Sequence, residues 1–239
     1  MRGLVRVGAA VPSLALGNVK ENMKRHLAMM REAKEKHVSI VTFPELSLTG
    51  YTCGDLFFQR RLLDDVTDAL IALKDEMPEE IIAVVGAPLE IEGALYNCAV
   101  VLHKGEIISA VPKTFLPNNG EFYEKRWFQS GDARRDAWAA IPKLKTDVCR
   151  QAIFETEDGV RFGIELCEDL WAPLPPSTML SVEGAEIILN LSASNELLSK
   201  REYRQQLISQ QSARCQCGYV YVSAGMGESS SDLVFSGHS

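Results

Sequence analysis

Three short apolar runs in this chain each end on one residue that can hold or move a proton. The run from Val38 to Pro44 delivers Glu45, that from Glu106 to Pro112 delivers Lys113, and that from Arg161 to Leu166 delivers Cys167, followed at once by Glu168-Asp169-Leu170-Trp171. Such runs read as buried strands, so a carboxylate, an ammonium and a thiol are each presented at a strand tip. A thiol attacks only as thiolate, and a neighbouring base must take its proton. Glu45, partly desolvated behind Phe43 and Pro44, would have its pKa raised toward the range in which a carboxylate shuttles protons. Lys113 would set a fixed positive charge beside a developing oxyanion and favour thiolate over thiol at Cys167. The backbone N–H of Glu168 becomes a second oxyanion donor if the chain turns sharply after the strand. These are the parts of an amide-cleaving site. Taken singly, each residue has a plainer reading, the Cys as core packing and the Glu and Lys as solvated strand ends; the inference rests on all three occurring at strand ends.

The elements that must position these groups are legible in the spacing. Leu4 to Val11 reads as a first strand, and Asn18 with Glu21 reads as a capping box opening a helix through about Lys36. Val19, Met23, Leu27 and Met30 form its core stripe. A second long helix is expected from Asp55 to about Met77, on Leu56, Leu63, Val66, Leu70 and Leu73, and a strand from Ile81 to Ala87. Tyr96 to His103 and Glu106 to Val111 flank Lys104-Gly105 as a hairpin, and Gln151 to Thr156 and Val160 to Cys167 form another around Glu157-Asp158-Gly159. A strand from Ala185 to Leu191, a polar helix from about Ser199 to Gln216 and a strand from Tyr219 to Ala224 complete the series. The order implies a layered α/β domain. Residues 114–150 show no regular period and are expected to cross a site or a rim.

Bulk properties narrow the function class. At 239 residues and 46% hydrophobic content the chain can bury the core of one large domain. Its formal charge of -7 argues against a nucleic-acid or anionic-membrane footprint. The absence of a long apolar run and of a leader pattern predicts a cytoplasmic protein. The six cysteines read as free thiols, and neither Cys215-x-Cys217 nor the four histidines has metal-ligand spacing, so no metal is expected.

Phe43-Pro44-Glu45-Leu46-Ser47-Leu48-Thr49-Gly50-Tyr51, then Pro112-Lys113-Thr114-Phe115-Leu116-Pro117, then Glu165-Leu166-Cys167-Glu168-Asp169-Leu170-Trp171, in that order, resemble the motifs of the carbon-nitrogen hydrolase (nitrilase) superfamily. Within it, Cys-Glu-Asp-Leu-Trp and Asn190-Leu191-Ser192-Ala193-Ser194-Asn195 are similar to the N-terminal glutaminase domain of glutamine-dependent NAD synthetases. The resemblance implies a four-layer α-β-β-α sandwich over residues 1–239 that pairs through a helical face into a homo-oligomer. It implies a triad of Glu45, Lys113 and Cys167 that hydrolyses glutamine to glutamate and ammonia through a thioester. It also implies Glu124 as the acid orienting the lysine, and Ser194 and Lys200 as holders of the glutamine head group, with Glu168, Tyr51 and Trp171 around the substrate. Where the synthetase pattern has Leu-Pro-Asn-Tyr-Gly, this chain has Leu116-Pro117-Asn118-Asn119-Gly120, placing Asn119 where an aromatic is expected. The Phe235-Ser236-Gly237-His238-Ser239 ending reads as a strand-turn approach, so the chain is expected to be a fragment. ATP, magnesium and deamido-NAD are assigned only to a further synthetase domain, whose phosphate-binding motif is not in this sequence. A stand-alone amidase acting on another small carboxamide is the alternative.

Overall fold

The computed structural model describes residues 4–133, 138–235 and 237–239. Residues 134–137 of the segment read as irregular, and Ser236 of the terminal run, lie outside it. Strands β1 (Val7–Ala9), β2 (Ile40–Thr42), β3 (Ile82–Ile91), β4 (Ala94–His103), β5 (Glu106–Pro112), β6 (Trp138–Ile141) and β7 (Thr146–Cys149) form one sheet in the order β1-β2-β3-β4-β5-β7-β6. Strands β8 (Ile153–Glu155), β9 (Arg161–Leu166), β10 (Ile187–Ser192) and β11 (Gly218–Ser223) form a second sheet in the order β11-β10-β9-β8. Helices α1 (Val19–Glu35) and α2 (Arg60–Glu76) belong with the first sheet, α3 (Pro176–Val182) and α4 (Lys200–Cys215) with the second.

Side-chain alternation explains the layering. Ile40, Ile82 and Val84 point to the second sheet, where they join Ile164, Leu166, Leu189 and Val222 in one buried core. Their neighbours Val41, Ala83 and Val85 point the other way, onto Leu27, Met30, Val66, Leu70 and Leu73 of the helices. A strand covered on both faces reads as continuously apolar, as these do. Leu180 of α3 closes the outer face of the second sheet on Ile188 and Cys217. The architecture is the expected α-β-β-α sandwich.

Several local expectations hold, and others shift for identifiable reasons. Asn18 caps α1, its Oδ1 accepting the Glu21 N–H at 3.2 Å. Both hairpins form, and Lys104 and Gly105 supply the two positive φ values, 47° and 74°, that a two-residue turn needs. Glu92 and Gly93, at 52° and 80°, do the same between β3 and β4, so β3 runs on to Ile91 rather than stopping at Ala87. The second helix starts at Arg60, not Asp55. Tyr51–Phe58 is a separate 3-10 segment broken at Gly54 (φ 56°), and Leu56 is exposed. The segment 114–150 holds a short antiparallel pair, β6 and β7, at the sheet edge. No helix among the described residues is long and apolar enough to cross a membrane.

Candidate active site

Glu45 follows β2 in a tight turn pressed against β3. The Phe43 N–H donates to Val84 O at 2.9 Å, the Leu48 N–H to Gly86 O at 3.1 Å, and Leu46 adopts a φ of 52°. A Cβ at Gly86 would lie 2.3 Å from Leu46 N and 2.4 Å from Pro44 O, so only glycine admits the turn. From α1, His26 pins the same turn. Its Nδ1 faces Asn22 O at 2.8 Å and must donate, since a carbonyl only accepts, which leaves Nε2 to accept from Ser47 Oγ at 2.8 Å. Burial holds this imidazole neutral, with its pKa down at about 4. The Glu45 carboxyl is wholly buried. Its Oε1 accepts from Asn97 Nδ2 and from Lys113 Nζ, both at 2.6 Å, while its Oε2 has no hydrogen-bond partner among the described residues.

Lys113 is fixed from both ends. Its backbone N–H donates to Asn97 O at 2.8 Å, extending the β4–β5 pairing. Its Nζ also donates to Glu124 Oε1 at 2.7 Å, and that oxygen accepts from the Tyr51 hydroxyl at 2.7 Å. An ammonium has three donors; two are taken by carboxylates. Burial alone would lower the Lys113 pKa, but Glu124 and Glu45 outweigh it and hold the amine protonated. Burial pushes the Glu124 carboxyl up to about 7, with Lys113 opposing and Glu45 adding.

Cys167 sits where β9 stops and a 3-10 turn, Cys167–Trp171, begins. Its φ of 43° is a left-handed conformation that costs a non-glycine residue about 1–2 kcal/mol. Asp169 holds that elbow: Oδ2 accepts the Leu166 N–H at 2.9 Å, and Oδ1 accepts the Thr114 and Phe115 N–H groups at 3.1 and 2.7 Å, tying the strand that ends at Cys167 to the chain just past Lys113. Cys167 feels the charges of Glu45, Lys113 and Glu124 and receives the Ala193 N–H. Lys113 lowers the thiol pKa, in the expected direction. Burial and the Glu45 charge outweigh Lys113 and raise the thiol pKa well above its ordinary value, so the sulfur rests protonated and depends on a base.

A cavity of about 270 Å³ opens over Cys167, lined by Asn119, Glu121, Phe122, Glu168, Trp171, Ser194, Asn195, Leu197 and Lys200 among others. Five of the expected substrate residues, Asn119, Glu168, Trp171, Ser194 and Lys200, therefore share one wall. Tyr51 does not. It lies behind Glu124, and its role shifts from lining to supporting. Lys200 donates to Asn195 Oδ1 and stands 5.3 Å from the Trp171 ring centre; burial lowers its pKa. Ser194 Oγ accepts from the buried Arg204 at 3.1 Å. Asn97, Asp169, Glu121, Asn195 and Arg204 were not singled out from the sequence. Asp169 and Asn195 stand inside quoted motifs, whereas Asn97 and Arg204 carry no local signal. A larger groove of about 550 Å³, beside Arg60, Glu90 and Lys143, contains none of these groups. Among the described residues no three His, Cys, Asp or Glu side chains are grouped to hold a metal.

Known proteins share this arrangement of chain and fold. Glutamine-dependent NAD(+) synthetase of Mycobacterium tuberculosis is 38% identical over 241 residues, covering 98% of this chain and 35% of its own. The structure of glutamine-dependent NAD+ synthetase from Acinetobacter baumannii in complex with ADP superposes with a TM-score of 0.83 at 29% identity, over 97% of this chain and 40% of that one. An amidase from Nesterenkonia shares the fold alone, with a TM-score of 0.77 at 16% identity over 98% of this chain and 81% of that one. The chain thus spans about a third of the length of the curated relatives it matches. The carbon-nitrogen hydrolase family model matches residues 6–239, and with that span this chain belongs to the carbon-nitrogen hydrolase family.

Proposed function

We propose that this domain hydrolyses the side-chain amide of glutamine, with Cys167 as nucleophile, Glu45 as general base and acid, and Lys113 as oxyanion donor. The observation that carries the reading is the unequal use of the Glu45 and Lys113 atoms. Oε1 of Glu45 is saturated by Asn97 and Lys113 while Oε2 has no partner, and the ammonium keeps one donor beyond its two carboxylates. The free oxygen takes the Cys167 proton as sulfur attacks the amide carbon, and the remaining N–H with the Glu168 backbone N–H meets the oxyanion. Glu45 returns that proton to the departing nitrogen, leaving a thioester and ammonia. Water, deprotonated by Glu45, then cleaves the thioester to glutamate and regenerates the thiol.

Lys200 and Ser194 would receive the α-carboxylate, a task suited to a cation beside a hydroxyl, with Glu168, Trp171 and Asn119 as the surrounding wall. Tyr51 and Glu124 orient Lys113 from behind. The names of the relatives support glutamine as the small-molecule substrate and a longer protein as the setting. In that setting the ammonia serves ATP-dependent amidation of deamido-NAD, and ATP and magnesium belong to the amidating domain. These side chains complete amide cleavage without a cofactor of their own. We place the protein in the cytoplasm and pair it through the outer helical face, where Met179 and Val182 of α3 are exposed. The acidic charge speaks against nucleic acid or membrane as partners.

The decisive experiment measures ammonia release from glutamine, asparagine and simple amides by the wild type and Cys167→Ala. Glutamine turnover that vanishes in the variant is expected. Equal turnover of simple amides would favour a stand-alone amidase, and activity surviving in Cys167→Ala would overturn the assignment.

A further inference from the structure

Glu228 is a buried acid that this chemistry does not use. Glu228 lies on a 3-10 turn, Met226–Glu228, beyond β11, and is 2% exposed. Although 177 positions from Tyr51 in sequence, its Oε2 accepts the Tyr51 N–H at 2.8 Å, and its carbonyl oxygen accepts from Thr52 Oγ1 at 2.9 Å. The Tyr51 ring is boxed edge-on by Phe122 and Phe235, with centroids 6.2 and 5.9 Å away. At its far end the phenol donates to the Glu124 oxygen that also takes the Lys113 ammonium. Gly50 precedes the clamp at a φ of 86°, and a Cβ there would lie 2.7 Å from Leu16 Cδ1 and 3.6 Å from Glu228 Oε2. Backbone, ring and hydroxyl of Tyr51 are thus all held, and its two polar ends connect Glu228 to Lys113.

We infer that Glu228 is a positioning residue of the catalytic cluster: by fixing the Tyr51 backbone it aims the phenol at Glu124, and through Glu124 it sets the direction of the Lys113 ammonium. The inference rests on the reading of Glu45, Lys113 and Cys167 as an amide-cleaving site. A carboxylate is a stronger acceptor for a backbone N–H than a neutral group, which suits an anchor that fixes a turn. The ionisable groups facing Glu228 are Glu45 and Cys53. Burial raises the Glu228 carboxyl to about 7, and the Glu45 charge adds to the rise, while the Tyr51 and Gly225 N–H groups oppose it.

The test compares Glu228→Met, which keeps bulk but accepts no hydrogen bond, with Glu228→Gln, whose amide oxygen still accepts. Three quantities are read: kcat and KM for glutamine, the pH profile of Cys167 alkylation by iodoacetamide, and the thermal midpoint. Glu228→Met is expected to lower kcat roughly 10- to 100-fold, the effect of a displaced catalytic group, with KM little changed and the alkylation profile shifted. Glu228→Gln should recover most of the rate. Tyr51→Phe breaks the same connection one link later, so it should reproduce the kcat loss, and combining it with Glu228→Met should add nothing further. Wild-type kcat and alkylation in Glu228→Met, or fully additive losses in the double variant, would overturn the inference. If Glu228→Met does not fold, Tyr51→Phe at wild-type kcat and alkylation overturns it alone. A wild type that alkylates but releases no ammonia sinks the glutaminase reading, and a shifted alkylation profile in Glu228→Met would still uphold the positioning role.

Discussion

The floor and the wall of the cavity are built by opposite rules. The floor, Glu45, Lys113 and Glu124, is at most 1% exposed, and each of these side chains is held by at least two hydrogen bonds. The wall, Asn119, Glu168, Trp171 and Lys200, is half-buried or exposed, and Lys200 is held by one amide and two ring faces. Burying charge costs several kcal/mol per ion unless each partner is present, so the floor tolerates no substitution in isolation. The wall meets solvent, and water can satisfy what a substitution leaves unpaired. On the proposed chemistry, rate is therefore set where side chains are buried and pinned, with Glu45 Oε2 and one Lys113 donor left for the reaction, and affinity where the surroundings are adjustable.

The sharpest way to break this contrast is Lys113→Met. Removing the ammonium leaves two buried carboxylates facing each other, and kcat should fall about 100- to 1000-fold for the lost oxyanion donor. Stability should fall as well, by about 3–5 kcal/mol for a broken buried ion pair. Rapid-quench measurement of thioester formation, with urea unfolding beside it, reads both. A change confined to KM would place Lys113 with the wall.

Glu45 and Lys113 of the floor, with Cys167 beside them, were legible in the sequence because they follow strand ends, whereas Glu124 lies on a 3-10 turn. Apolar runs ending on Glu45, Lys113 and Cys167 advertise both burial and an abrupt change of chemistry. What supports them was not. Asn97 sits mid-strand in β4, where its type says nothing about the two carboxylates beside it, and Glu228 meets Tyr51 only after the whole domain has closed. Tyr51 was identified but aimed wrongly, because its role is set by which side of Glu124 it occupies. The balance of forces on the Cys167 thiol was only half visible for a related reason. Sequence shows that Lys113 is near but not how completely the thiol is dried. Among the elements, β6 and β7 offer too little to see, since four-residue strands such as Thr146–Cys149 have too few alternations to stand out, and the start of α2 falls later than its apolar pattern suggests because Gln59 is extended (φ -80°, ψ 118°) and divides the 3-10 segment from the helix.

The floor should also respond to acid in a way the wall does not. His26 has a folded pKa near 4 against an ordinary value of about 6.5. Between those values the unfolded chain binds a proton that the folded chain refuses, so stability is full above about pH 6.5 and declines as pH falls toward 4. The loss by pH 4 is about 3 kcal/mol, at 1.36 kcal/mol per pH unit. Glu124 and Glu228, raised to about 7, act in the opposite sense, since their protonation favours the folded state as pH falls. The difference between wild type and His26→Gln isolates the imidazole. Urea unfolding at pH 7 and pH 4 should show the wild type losing about 3 kcal/mol more than the variant. Equal losses would mean that His26 is charged in the fold and that the Glu45 turn is held otherwise.

The smallest effect belongs to the wall and completes the contrast. Lys200 stands between the Trp171 and Phe122 rings, 5.3 and 5.9 Å from their centres, and donates to the neutral Asn195 amide; Glu121 and Glu168 act on its charge, and the ammonium has N–H donors beyond that amide to offer an anion. Lys200→Met keeps the aliphatic stem over the rings and removes only the charge. The glutamine KM should rise about tenfold, the worth of one charged hydrogen bond at roughly 1.5 kcal/mol, while kcat stays within about a factor of three because the interaction is made equally in ground and transition states. Steady-state kinetics with glutamine separates the two parameters. A fall in kcat comparable to that of Lys113→Met would show that the wall also orients the scissile amide, and the division between rate-setting floor and affinity-setting wall would then have to be redrawn with Lys200 on the other side.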